Sequence, residues 1–220
     1  MNRQNDICKV VTLGDSGVGK TCLLQKIKYG TYNNENSMTI GIDCLHKTVD
    51  LGNKLITLEL WDTAGQERFD AMNKLYIRNV MCILLVYDIT NEESCFKLNK
   101  WCDLIDEQAP SDVIKILVGN KCDKRTRMIT TEIGQSVADY LKMPFIEISS
   151  KEDVNVDELM DLMLVIKDYK MHSVFRKETL KSMNKAAGNG YANTVLIFNL
   201  FKFKFIFTRQ LLLIVKYVLK

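Results

Sequence analysis

Three short clusters in this 220-residue chain bring together residue types that could do chemistry on a phosphorylated ligand. The first, Gly14-Asp15-Ser16-Gly17-Val18-Gly19-Lys20-Thr21, fits the pattern G-x-x-x-x-G-K-[ST]. Glycines let such a loop fold tightly enough for successive backbone N–H groups to converge on phosphate oxygens. Lys20 would set its ammonium against the outer phosphates, and Thr21 would offer its hydroxyl to Mg²⁺. The second cluster is Asp62-x-x-Gly65. A carboxylate there can hold Mg²⁺ through a water, while a glycine N–H can meet a γ-phosphate. The third is Asn120-Lys121-Cys122-Asp123. Its aspartate can accept from both N1–H and the exocyclic amine of guanine, a donor pair that adenine lacks. Sites built on such bonds discriminate by roughly 10⁴ or more. Two weaker signals accompany these. In Ser149-Ser150-Lys151 a backbone N–H could reach guanine O6, and Thr39 could give Mg²⁺ a second hydroxyl while a γ-phosphate is present, making its loop a switch.

Taken singly, each cluster has an ordinary structural explanation as a turn. Their places in the chain decide otherwise. An apolar run over 7–13 leads into the glycine loop, and a helix starting near Lys20 leaves it, directing the positive end of its dipole at the same point. Residues 42–51 and 54–61 read as two strands joined by Gly52-Asn53, a hairpin-type dipeptide. The runs at 81–87, 113–118 and 145–148 are short and apolar, as expected of strands covered on both faces. Helical spacing marks 91–108, with Phe96, Leu98, Trp101, Leu104 and Ile105 on one side. It also marks 132–142 and 156–169, the latter turning Leu159, Met160, Leu162, Met163 and Ile166 inward. The predicted fold is therefore α/β: a mainly parallel six-stranded sheet with helices on both faces. In such sheets ligands sit at the carboxyl ends of the strands, and the clusters fall at such ends or in nearby loops.

Composition narrows the class. The chain is 47% hydrophobic with two prolines, which suits a domain with a buried core. Its net charge of +3 is too small to argue for a nucleic-acid partner. That charge is unevenly spread: beyond Glu178 stand seven basic residues and no acidic one, and subtracting them from +3 leaves −4 for residues 1–178. Seven cysteines at 8, 22, 44, 82, 95, 102 and 122 form no C-x-x-C pair, so neither disulfides nor zinc are expected, and a reducing, cytoplasmic compartment is.

The segments G-D-S-G-V-G-K-T, T-I-G-I-D, W-D-T-A-G-Q-E-R-F, L-V-Y-D-I-T, N-K-C-D and E-I-S-S-K stand in the order and spacing of Ras-superfamily small GTPases, a class of P-loop NTPases. Ile40-Gly41-Ile42-Asp43, Trp61, Arg68-Phe69 and Tyr76-Ile77-Arg78 resemble the Rab branch in particular. The resemblance covers roughly residues 6–170. It implies a GTP-binding domain that hydrolyses GTP to GDP and regulates vesicle traffic as a monomeric switch. Position by position, Asp15, Ser16, Gly17, Val18, Gly19, Lys20, Thr21 and Cys22 would wrap the phosphates. Thr21 and Thr39 would ligate Mg²⁺, with Asp62 behind them; Gly65 would sense the γ-phosphate and Gln66 would orient the attacking water. Asn120, Lys121, Asp123, Ser150 and Lys151 would form the guanine pocket with Ser149 in support, and Tyr32, standing for the usual Phe, would stack on the base. No arginine occupies a motif position that would supply charge in cis, so a GTPase-activating protein is expected to bring one. An exchange factor and GTP-state effectors are the other implied partners.

The chain departs from the family pattern in places. Met38 replaces a small residue, Cys44 stands where Rabs carry an effector-contacting Phe, Ile77 and Asn79-Val80 replace Tyr and Gly-Ala, and Ser150 replaces Ala. Rivals to the Rab reading are a Ras-like signalling GTPase, a GTP-binding module with negligible hydrolysis, and an ATP-using P-loop enzyme; Trp61, Gln66 and Asp123 argue against them in that order. Residues 171–193 read as a flexible linker, and 194–220 as a basic, apolar tail lacking the prenylation cysteine usual in Rabs. The tail is expected either to touch an anionic membrane on the cytosolic face of an endomembrane or to be an aberrant terminus. Charges interrupt every apolar run well short of the ~20 residues that a spanning helix requires.

Overall fold

The computed structural model describes residues 5–32, 42–51, 54–63 and 76–167. Six strands form one sheet in the order β2-β3-β1-β4-β5-β6: β1 (Asn5–Leu13), β2 (Ile42–Asp50), β3 (Leu55–Thr63), β4 (Cys82–Asp88), β5 (Ile114–Asn120) and β6 (Phe145–Glu147). Every neighbouring pair is parallel except β2 with β3. That exception is the hairpin the sequence predicts, with Ile42 opposite Thr63 and Asp50 opposite Leu55.

Burial follows from position in the sheet. All seven residues of β4 are buried, so helices must cover both faces at the centre. β3, nearer the edge, buries alternate residues Ile56, Leu58 and Leu60, and the edge strand β2 buries none completely. On one face Ile83, Leu85 and Tyr87 of β4 join Leu98, Trp101 and Ile105 in a continuous core. Helix α1 (Lys20–Tyr29) lies against β2 and β3 with Leu23, Leu24 and Ile27 buried. It stops at Gly30, whose left-handed backbone (φ 70°) lets its N–H reach the Lys26 carbonyl, while Lys26 and Lys28 sit in the last turn where the dipole favours cations.

The predicted helix over 91–108 is two helices, α2 (Glu92–Phe96) and α3 (Leu98–Gln108). Asn91 caps the first, its side chain accepting from the N–H groups of Glu93 and Ser94. Lys97 breaks the run. Phe96 then leaves the apolar stripe expected of it and is 73% exposed, whereas Leu98, Trp101 and Ile105 stay in the core. Helix α4 (Thr131–Leu141) starts on a Thr130 cap whose hydroxyl accepts from Ile133 N at 3.3 Å. Helix α5 spans 156–167. The chain divides into two compact units, Met1–Met160 and Asp161–Lys220. The second is described only over 161–167, where Leu162 and Met163 are fully buried. No helix among the described residues is long and apolar enough to cross a membrane. The predicted linker over 171–193 and tail over 194–220 lie outside them.

Candidate functional site

The site is assembled at the carboxyl ends of β1, β3, β5 and β6. Directly after β1, Gly14, Gly17 and Gly19 all have positive φ, which lets the loop curl over the start of α1. Two of these glycines also permit close approaches. A Cβ on Gly14 would stand 2.1 Å from the Val86 carbonyl oxygen, and one on Gly19 would stand 2.4 Å from the Asn120 side-chain nitrogen. Lys20 is only 5% exposed and folds back along the loop, its Nζ donating to the Gly14 and Asp15 carbonyls at 2.8 Å each.

Burial lowers the Lys20 pKa to about 8, against the opposing pull of Asp62 and Asp15. Since this folded value lies below the ordinary 10.5, the unfolded chain binds more protons between the two, and Lys20's contribution to stability rises with pH across that window. Phosphate oxygens beside the ammonium would restore the charge. Nucleotide binding at pH 8 is therefore expected to take up about half a proton through Lys20. Calorimetry in two buffers of different ionisation enthalpy measures this, and Lys20→Met is expected to abolish the uptake.

Asp62, buried near the end of β3, accepts the Thr21 hydroxyl at 2.6 Å. The adjacent Thr63 donates to the Thr12 carbonyl at 2.6 Å, and Thr12 donates in turn to the Trp61 carbonyl, locking β3 to β1 beside the loop. Hydroxyl and carboxylate oxygens are hard donors that suit Mg²⁺, an ion commonly held by one or two protein groups together with the phosphates of its ligand. Among the described residues no cluster of three or more His, Cys, Asp or Glu could hold a metal.

Asn120, at the end of β5, ties three parts together. Its amide nitrogen donates to the Val18 carbonyl of the glycine loop at 2.9 Å. Its oxygen accepts from Lys121 N at 2.8 Å and from both N and Oγ of Ser150, at 3.3 and 3.1 Å. Lys121 is held in the left-handed region (φ 69°), a backbone state in which non-glycine residues persist only when their surroundings hold them. Its ammonium crosses to the Gly17 carbonyl at 2.8 Å and to Asp88 at 2.6 Å. Ser149 donates to Asp123 at 2.7 Å, joining the segment after β5 to the segment after β6. Lys151 is half exposed beside Glu152. Burial, then the neighbouring Cys22, raises the Tyr32 phenol pKa; Lys151 opposes and Asp123 adds to the shift, so this ring lies within electrostatic reach of the pocket.

The residues at 15–22, Tyr32, Asp62, Asn120, Lys121, Asp123 and 149–151 thus gather at one end of the sheet. Thr39, Gly65 and Gln66 lie outside the described residues. Two contributors have no role in the sequence reading. Asp88 ends β4 and orients Lys121, its other oxygen occupied by N and Oγ of Thr90 at 2.8 and 2.7 Å. The strand-end rule that picks out Asp62 and Asn120 would have found it. Lys97, at the break between α2 and α3, pairs with Asp15 at 3.1 Å across 82 residues of sequence, and no local pattern signals that.

A glycine loop between strand and helix, a strand-end aspartate on the loop's threonine and an N-K-x-D segment bonded back to the loop define a P-loop GTPase fold. The sequence model of the Ras family matches residues 9–168. The chain is 44% identical to the Ras-related protein SEC4 of Saccharomyces cerevisiae over 70% of its length and 72% of the relative's. To the GTP-binding protein YPT1 of the same yeast it is 40% identical, over 86% and 93%. To the Ras-related protein Rab-8B of Homo sapiens it is 45% identical, over 68% and 73%. The chain belongs to the Rab family of Ras-superfamily small GTPases, GTP hydrolases that function in vesicle trafficking.

Proposed function

We propose that this protein is a Mg²⁺-dependent GTP/GDP switch on the cytosolic face of an endomembrane, in which residues 15–22 wrap the phosphates and Asp123 reads guanine. The observation that supports this reading best is the bonding of Asn120 and Lys121 to the carbonyls of Val18 and Gly17, which couples a base pocket to a phosphate loop. Thr21, Thr39 and Asp62 would hold Mg²⁺, whose charge offsets that of the phosphate oxygens. Lys20 supplies a buried ammonium to the β- and γ-phosphates, and Tyr32 lays an aromatic face on the base. Gln66 orients the attacking water, and Gly65 and Thr39 respond to the terminal phosphate. An exchange factor, an activating protein that inserts an arginine, and GTP-state effectors complete the cycle.

Turnover of [γ-³²P]GTP by the purified full-length protein tests this. Small GTPases of this class hydrolyse GTP at roughly 10⁻⁴–10⁻³ s⁻¹ alone and about 10⁵-fold faster with an activator's arginine. A slow intrinsic rate, lost on Gln66→Leu and with ATP failing to compete, is expected. Turnover at tens per second without an activator, or equal binding of ATP and GTP, would overturn the reading.

A further inference from the structure

With the guanine pocket read as above, on which this rests, we infer that Arg127 and Glu147 form a positioning pair that holds Asp123 in place to read the base. The pocket is built from two segments, 121–130 after β5 and 148–155 after β6. Within it they are joined by Ser149 to Asp123 and by Cys122 N to the Ile148 carbonyl, and Ser150 bonds back to Asn120 at the end of β5. Behind it a guanidinium fork joins the first segment to Glu147, the last residue of β6. Arg127 Nη1 lies 2.6 Å from Glu147 Oε1 and Nη2 lies 3.0 Å from Oε2.

This pair gathers more of the surrounding chain than an isolated surface bridge does. Arg127 Nη1 also donates to the Ile129 carbonyl at 3.1 Å, and Glu147 Oε2 accepts the Thr131 hydroxyl at 3.0 Å. The Glu147 carbonyl accepts Asn155 Nδ2 at 2.7 Å, so the turn beyond Ser149–Lys151 is bound to the same residue. Met128 and Ile129 both donate to the Ile89 carbonyl, anchoring the far end of the 121–130 segment to the chain just beyond β4. Around Asp123 the segment is also pinned by Cys122 N donating to the Ile148 carbonyl and Lys124 N donating to the Lys121 carbonyl, each at 3.0 Å, and the fork braces the same segment from its far side, behind the Asp123 carboxylate and the Ser149 hydroxyl. Glu147 is largely buried and Arg127 about a quarter exposed, so the fork is more shielded from salt than a surface pair. A lysine carries the same charge but cannot make two parallel bonds. Neither residue is among those assigned to the nucleotide, and their role is to position.

The test compares GDP with inosine diphosphate, which lacks the 2-amine that Asp123 would accept. Affinities of the full-length protein for both are measured for wild type, Arg127→Gln, Arg127→Lys, Glu147→Gln, the Arg127→Gln/Glu147→Gln double variant and Asp123→Ala. Arg127→Gln is expected to weaken GDP about tenfold and inosine diphosphate only about two- to threefold, so the preference between them narrows. Arg127→Lys, the conservative change least prone to misfold, is expected to fall between, and the double variant to be no worse than the worse single one. If Asp123→Ala erases the preference while both Arg127 variants keep it and merely melt at lower temperature, the pair is structural and the inference fails. If Asp123→Ala leaves the preference intact, the guanine reading itself fails and takes the inference with it.

Discussion

Asn120→Ala is expected to lower affinity for GDP by about 10²–10⁴-fold, because the truncated amide leaves several buried groups unpaired at once. The Val18 carbonyl loses its donor, and the N–H and hydroxyl of Ser150 lose their acceptor. Val18 and Ser150 are 1% and 3% exposed, so water cannot readily replace what is lost. Each orphaned group costs about 1–3 kcal/mol. The backbone of Lys121 loses an acceptor as well, and with it part of what holds φ at 69°. The glycine loop and the segment after β5 would then be held together less tightly, through Lys121 and Gly17, and the nucleotide would have to order both. Asn120→Asp separates the contributions: it keeps the acceptor for Ser150 and Lys121 but removes the donor to Val18, so an intermediate loss is expected. Dissociation of a fluorescent GDP analogue measures both variants, and less than a tenfold effect for the alanine would show that the loops hold their arrangement without this amide.

Gly14→Ala is expected to cost stability more than affinity, by at least about 4 kcal/mol. Its Cβ would meet the Val86 carbonyl oxygen at 2.1 Å, and that oxygen belongs to the central strand β4, which cannot swing aside as a side-chain tip can. The φ of +142° adds strain of about 1–3 kcal/mol for any residue with a Cβ. Relief requires β1 to part from β4 where Leu13 faces Leu85, and both leucines are wholly buried. Urea unfolding of the Gly14→Ala variant is expected to show a sharply lowered midpoint or no cooperative transition. A midpoint near that of the wild type would mean that the strands separate at little cost.

Much of this site is legible in the sequence because phosphate and base recognition use short contiguous segments. Residues 14–21 combine glycines with a lysine at fixed spacing, and 120–123 follow a strand whose apolar run is unmistakable, so both could be located by counting. The sheet is legible for a related reason: β4 and β5 are buried on both faces and read as continuous apolar runs, while Gly52-Asn53 marks the hairpin. Contacts between distant side chains are not legible this way. Nothing near Lys97 announces Asp15, and nothing near Arg127 announces Glu147. The break at Lys97 escapes for another reason. Leu98, Trp101 and Ile105 keep helical spacing on their own, so the apolar pattern absorbs Phe96 although a turn separates it. Periodicity reports which residues share a face and says little about a single-residue interruption.

The antiparallel hairpin imposes a mechanical linkage on the rest of the molecule. Ile42 opens β2 and Thr63 closes β3, and the two are paired, so these two strand ends lie about 4.8 Å apart. Nine consecutive rungs stiffen that junction, and Asp43 sits opposite Asp62 on the next one. A tug on either strap at this shared buckle is felt by the other. A displacement of Asp62 therefore has a direct route to the outermost strand.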